Sequence, residues 1–122
     1  MNASFAAMTP TTEWVEVMHD GTIERKSGLM DSAVLDLAVG GGAKQVRSPW
    51  DATVFVSSLK ASFNNWTATS VLRQSLAPGQ SVHGTMVVLG PVDEDGNVTS
   101  ITDDLFDAVM TTVRQVRGEK AP

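Results

Sequence analysis

Imidazole chemistry in this chain has two carriers, His19 and His83, and neither stands in a metal-ligand spacing with another His, Asp or Glu. The chain has no cysteine, which excludes thiolate zinc sites, cysteine nucleophiles and disulfides. A G-x-S-x-G elbow is absent and no Ser, His and Asp arrangement stands out, so no enzyme is expected. Gly40-Gly41-Gly42 followed by Lys44 invites a phosphate-loop reading. The spacing fails, because Lys44 is followed by Gln45, and a flexible connection is the simpler account. Asp93, Asp95, Asn97 and Asp104 occupy positions of a calcium loop, but Val98 stands where the loop needs glycine and Asp104 where it needs a bidentate Glu. A turn leading into a helix explains the same residues, so no metal or cofactor is expected.

The cations are more informative. Lys60 and Arg73 each fall on the less apolar side of an expected strand, near Ser58, Ser75 and Thr85. A sheet face carrying Lys, Arg and hydroxyls can take phosphates by charge-assisted hydrogen bonds while the hydroxyls contact sugar and base edges; the bland alternative is a solvated face. Trp14, Trp50 and Trp66 read as core or interface anchors, which leaves no evident base-stacking aromatic.

Charge is segregated along the chain. Residues 1–36 carry six acids against Arg25 and Lys26, and residues 93–122 carry seven acids against Arg114, Arg117 and Lys120. Between them Lys44, Arg47, Lys60 and Arg73 face Asp51 alone, so a basic centre lies between acidic ends within a net charge of −5. That net charge argues against a polybasic membrane patch. At 122 residues, with 42% hydrophobic and 19% charged residues, the chain suits one α+β domain with a core of its own. It divides into an N-terminal extension (1–11), a β-sheet region (13–92) and a C-terminal helix (102–118). Residues 1–10 lack the basic and apolar regions of a signal peptide, and no run approaches the roughly 20 apolar residues of a membrane span. The Asn-x-Ser/Thr triplets at Asn2, Asn65 and Asn97 therefore read as chance.

The elements that must position these groups follow from turns and periodicity. Asp20-Gly21 between Trp14-Val15-Val17 and Ile23 predicts a hairpin over Glu13 to Ser27. Ser32 to Val39 fits a short helix or a strand; Val34, Val39 and the abrupt Gly40 favour a strand. Alternation over Asp51 to Phe63 predicts a long strand. Trp66 to Leu76 and Ser81 to Leu89, joined by the Ala77-Pro78-Gly79-Gln80 turn, predict a second hairpin. Asp93 to Asn97 is a solvated turn. Thr102 as N-cap, Asp103 and Asp104 in the first turn and Gly118 as terminator predict a helix over Asp103 to Arg117.

That helix carries one apolar stripe, Leu105, Phe106, Val109, Met110, Val113 and Val116. One 15-residue helix covers only part of a sheet of about five strands. A homodimer in which each helix lies on the partner's sheet would bury both stripes, with Leu105, Phe106, Val109, Met110 and Val113 at the interface, and leave the Lys60 and Arg73 face open.

The order hairpin, strand, long strand, hairpin, acidic turn and helix resembles the coat proteins of single-stranded RNA bacteriophages, the leviviruses. The nearest stretches are SVLRQSLAPGQSVHGTMVVLGPV and TDDLFDAVMTTVRQV. The resemblance spans most of residues 12–118 in architecture. It implies an antiparallel sheet, an intertwined homodimer, self-assembly into an icosahedral shell in the virion or the bacterial cytoplasm, and a sheet face turned onto genomic RNA. Carried over, the inward cations are Lys60 and Arg73 with Ser58, His83 and Thr85 beside them, and Lys44 and Arg47 add charge. The chain departs from the family in having one C-terminal helix where the family has two helical segments, and in its acidic net charge. The other reading of the residues is a small acidic β-rich module, such as an immunity or accessory protein, that binds a basic protein partner.

Overall fold

The Asp20-Gly21 turn closes the expected hairpin. Strands β1 (Thr12–Val17) and β2 (Ile23–Gly28) pair antiparallel, with Thr12 opposite Gly28 and Val17 opposite Ile23. Gly21 takes φ 85°, and Asp20 accepts a 2.9 Å hydrogen bond from the Thr22 amide, which holds the Asp20 carboxyl below its usual pKa. A computed structural model describes residues 11–60 and 63–118. The N-terminal extension through residue 10, the Asn2 triplet and residues 61–62 of the expected long strand lie outside the described residues.

Three further strands, β3 (Ala43–Val46), β4 (Thr53–Ser57) and β5 (Met86–Leu89), complete a five-stranded antiparallel sheet in the order β2-β1-β5-β4-β3. The fold is α+β, with an N-terminal hairpin and a C-terminal helix. Each residue of β5 is fully buried, because this strand is central and both sheet faces are covered.

One helix settles a segment that fits either a helix or a strand, and another stands where a strand is expected. Ser32–Val39 is helix α1: Asp31 accepts from the Val34 amide at 2.9 Å as N-cap, and Gly40 at φ 97° ends the helix. These caps satisfy the end groups of an eight-residue helix and outweigh the β-branched Val34 and Val39. Trp66–Val71 is helix α2, followed by a single 3-10 turn over Arg73–Ser75. Asn65 caps α2 by accepting from the Ala68 amide, and the helix buries Ala68 and Leu72 against the sheet. The second hairpin therefore does not form: β5 pairs instead with β1 and β4, and Arg73 lies on no strand. The strand expected over Asp51 to Phe63 is regular only from Thr53 to Ser57.

The last helix, α3 (Asp103–Val116), matches its prediction, with Thr102 accepting from the Leu105 amide. It packs with α2 over the face that carries Val15, Val17, Val54, Val56, Met86 and Val88. α1 covers the opposite face, where Trp14, Phe55, Val87 and Leu89 meet Leu35 and Val39. Val109 and Val113 are fully buried in their own protomer, and Leu105 and Phe106 pack against the same core. Met110 is half-buried. The stripe expected to dock on a partner is thus largely accommodated within the chain, and helices cover both faces of the central strands β4 and β5, while Glu24 to Ser27 of β2 stay exposed.

Candidate nucleic-acid interface

Four cations of the basic centre gather on the flank formed by β3, the β3–β4 loop, the end of β4 and α2 with its 3-10 turn. The α2 side is fixed by Asn65, whose backbone N–H donates to the Val82 carbonyl at 2.7 Å. Thr69 Oγ1 accepts from the Val82 amide at 2.8 Å, and the Phe63 carbonyl accepts from Gly84. These bonds set His83 beside α2. On the other side Ser57 Oγ donates to the Gly41 carbonyl and accepts from the Leu59 amide at 3.0 Å, which turns the chain after β4 and places Ser58 and Lys60 beside β3.

Two grooves result. The smaller, about 140 Å³, is lined by Lys44, Ser58, Lys60, Gln80, Ser81 and His83 among others. Ser81 Oγ and His83 Nε2 lie 3.3 Å apart within it. The larger, about 790 Å³, runs between Arg47-Ser48-Pro49 and Ser70, Arg73, Gln74 and Ser75, with Val71 and Val116 supplying apolar lining. The loop wall of this groove is tied to α3 by Trp50, whose Nε1 donates to Thr112 Oγ1 at 3.3 Å. Leu76, Gly79 and Gln80 border the smaller groove, and together with Arg73 they border a third depression of about 320 Å³. The segment from Arg73 to Gln80 is therefore the ridge that the two grooves share.

The sequence-predicted residues sort cleanly. Lys44, Ser58, Lys60 and His83 share one groove and Arg47 and Arg73 share the next. Thr85 lines neither; its amide donates to the Val39 carbonyl beside the end of α1. The strand reading put the group on one sheet face; it lies instead along a flank built from an edge strand, loops and a helix.

Electrostatics separate these cations from those of the acidic ends. Arg25 pairs with Glu13 and Asp103, at 3.4 and 2.8 Å, and stacks over Phe106. The Asp103 carboxylate, which accepts its hydrogen bond, raises the Arg25 pKa. Lys26 pairs with the buried Glu16 at 3.3 Å and with Glu24 at 3.5 Å. Among the described residues, Lys44, Arg47, Lys60 and Arg73 have no carboxylate within ion-pair distance; Arg114 shares this property. Four cations without counter-ions beside serine hydroxyls can receive phosphate oxygens without first breaking an internal pair.

Sequence reasoning missed one feature of this flank. Trp66, read as a core or interface anchor, is 63% exposed at the start of α2, and Phe63 is exposed three residues earlier, stacked on His19 with ring centroids 5.0 Å apart. The signal available was Asn65: an N-cap at that position makes Trp66 the first residue of a helix rather than an inward-facing strand residue.

The alternative chemistries find little support in the geometry. Asp93, the first residue of the calcium-loop pattern, spends Oδ1 on the amides of Asp95 and Asn97, at 2.9 and 3.0 Å, and the turn is closed by a Val92–Val98 bridge. Among the described residues no three His, Asp or Glu side chains are grouped to hold a metal, and no helix is long and apolar enough to cross a membrane. Asn65 of the central glycosylation triplet is completely buried. No family model, curated protein or solved structure matches the chain.

Proposed function

We propose that this chain is a non-catalytic coat protein that contacts single-stranded genomic RNA along its cationic flank. The observation that carries the reading is the convergence of Lys44, Lys60, Arg47 and Arg73, spread over some thirty positions of sequence, on two adjacent grooves with no carboxylate paired to them among the described residues. Phosphate contacts from such residues supply most non-specific affinity for nucleic acid and make it salt-dependent. The RNA would lie on the flank of the sheet, where the unpaired cations gather, since helices cover both faces of its central strands.

Homodimerisation and assembly into a shell enter this reading from the resemblance to RNA-phage coat proteins. They do not rest on α3, whose stripe is used inside the protomer. Expression of the chain alone, followed by electron microscopy, light scattering and the ultraviolet absorbance ratio before and after ribonuclease, tests both parts. Shell-sized particles carrying nucleic acid are expected. A monomer with no nucleic acid and no affinity for it overturns the proposal; a monomer that binds RNA overturns the shell and leaves the RNA contact.

A second reading, the acidic protein-binding module, is favoured by the exposed carboxylates of Asp104 and Asp107 on the first turns of α3 and by Leu37, which is 83% exposed on α1. Recovery of one stoichiometric basic protein partner, without nucleic acid, would replace the RNA reading by this one.

A further inference from the structure

We infer that Trp66 is a base-stacking platform at the end of the Arg47–Arg73 groove, and that the nucleic acid taken there is an unpaired strand. The inference rests on the RNA reading above and specifies its ligand.

Trp66 opens α2, and Ser70 follows it by one helical turn on the same side. Ser70 and Arg73 line the larger groove opposite Arg47 and Ser48. By helical spacing Trp66 thus stands one turn beyond the lined part of that wall, on the side of α2 that carries Ser70. The three tryptophans of the chain differ in what they do. Trp14 is buried and donates through Nε1 to Glu16 Oε2 at 2.9 Å. Trp50 is half-buried and bonded to Thr112. Trp66 is 63% exposed, and among the described residues its indole has neither a hydrogen bond nor a ring partner.

Isolated exposed apolar residues are common on protein surfaces. The position of this one is what matters, because it stands one helical turn before Ser70, on the α2 wall of a groove whose two arginines have no counter-ion among the described residues. Proteins that bind single strands combine a cationic groove for the backbone with aromatic faces on which bases stack, whereas a duplex keeps its bases stacked on one another and offers an indole nothing. The groove is also rich in side chains that tolerate any base: Ser48, Ser70, Gln74 and Ser75 donate and accept without a fixed pattern. Little sequence preference is therefore expected.

The test uses the full chain with a short fluorescent oligouridine and, separately, an RNA duplex of the same length, by fluorescence anisotropy over a salt series. Trp66→Ala should weaken oligouridine binding by roughly tenfold with the salt dependence unchanged, and Trp66→Phe should restore most of the loss. Arg73→Gln should instead flatten the salt dependence by roughly 0.7 of slope. Tryptophan emission should be quenched by oligouridine in the natural chain and not in Trp66→Phe. Circular dichroism confirms that the variants fold. If Trp66→Ala binds as the natural chain does while Arg73→Gln is weakened, stacking is overturned and the RNA reading stands. If the duplex binds as tightly as the single strand and Trp66→Ala weakens both alike, the unpaired-strand inference is overturned. If the natural chain binds neither, the RNA reading falls as well.

Discussion

Asn65 Nδ2 donates to the Val17 carbonyl at 2.8 Å, joining the start of α2 to the last residue of β1. The same nitrogen donates to the Gly84 carbonyl at 2.9 Å while Oδ1 accepts from the Ala68 amide, so one fully buried amide closes a junction between β1, α2 and the segment leading to β5. Val17 is fully buried, so its carbonyl cannot turn to solvent instead. Asn65→Ala removes an N-cap worth about 1 kcal/mol and leaves buried acceptors unsatisfied, for a total loss of about 3 kcal/mol. Asn65→Asp keeps the cap but turns a carboxylate toward two carbonyl oxygens, and is expected to cost at least as much at neutral pH. Urea denaturation checks both, and a loss below about 1 kcal/mol for either would show that the junction is held by packing alone.

Whether α3 serves its own protomer or a partner's can be decided at Val113, which is fully buried among Val109, Leu72 and the valines of the sheet. Val113→Ala removes two buried methyl groups and is expected to cost about 2 kcal/mol, with no change in the mass of the particle measured by light scattering. Dissociation of an assembly at unchanged monomer stability would mean that the stripe belongs to an interface.

The parts of this fold that were legible in the sequence are those where a local signal and the tertiary environment agree. Asp20-Gly21 makes its hairpin, and Thr102, Asp103 and Asp104 start α3 where caps and charges say it should start. α2 was not legible. Thr67, Thr69 and Val71 are β-branched and favour a strand, and they yield to burial of Ala68 and Leu72 and to the Asn65 junction, which depends on Val17 and Gly84 far along the chain. α1 had its signals in Asp31 and Gly40, but a segment of eight residues, six of them apolar, does not separate the two periods. β3 is a four-residue edge strand whose Lys44 and Gln45 carry no strand preference. For the candidate site, the charge segregation marked Lys44, Arg47, Lys60 and Arg73 as a group. It did not say which surface gathers them, because that depends on α2 being a helix.

Lys26 provides a pH test of the hairpin. The Glu16 carboxylate, which accepts its hydrogen bond and also binds the Trp14 indole, raises the Lys26 pKa, and Glu24 adds to the effect. A raised folded-state pKa stabilises the fold fully below the unfolded value, near 10.4, and the contribution is lost as pH rises through the folded value. Stability should therefore decline above about pH 10.4, and the decline should be shallower in Lys26→Met. The chain has no Tyr or Cys to titrate in the same range. Because the lysine is partly exposed, the effect is expected to be modest and to shrink with added salt. Urea midpoints measured from neutral to strongly alkaline pH, with and without salt, check the sign; a decline of equal steepness in Lys26→Met would place the alkaline sensitivity elsewhere.

The unpaired cations invite the opposite comparison, between what a residue does for the fold and what it does for a ligand. Lys44 and Lys60 line one groove and have no carboxylate within ion-pair distance among the described residues, so the fold gains nothing from their charges and bears their mutual repulsion. Lys44→Gln with Lys60→Gln should leave stability within about 0.5 kcal/mol of the natural chain, with any change favourable at low salt. Binding of single-stranded RNA should weaken, and its logarithmic salt slope should fall by roughly 0.7 for each charge removed, as expected when each lysine neutralises one phosphate of a single strand. The pair of measurements is diagnostic because a structural role and a phosphate-binding role move different quantities. Loss of stability with an unchanged salt slope would assign both lysines to the fold and remove the smaller groove from the RNA path.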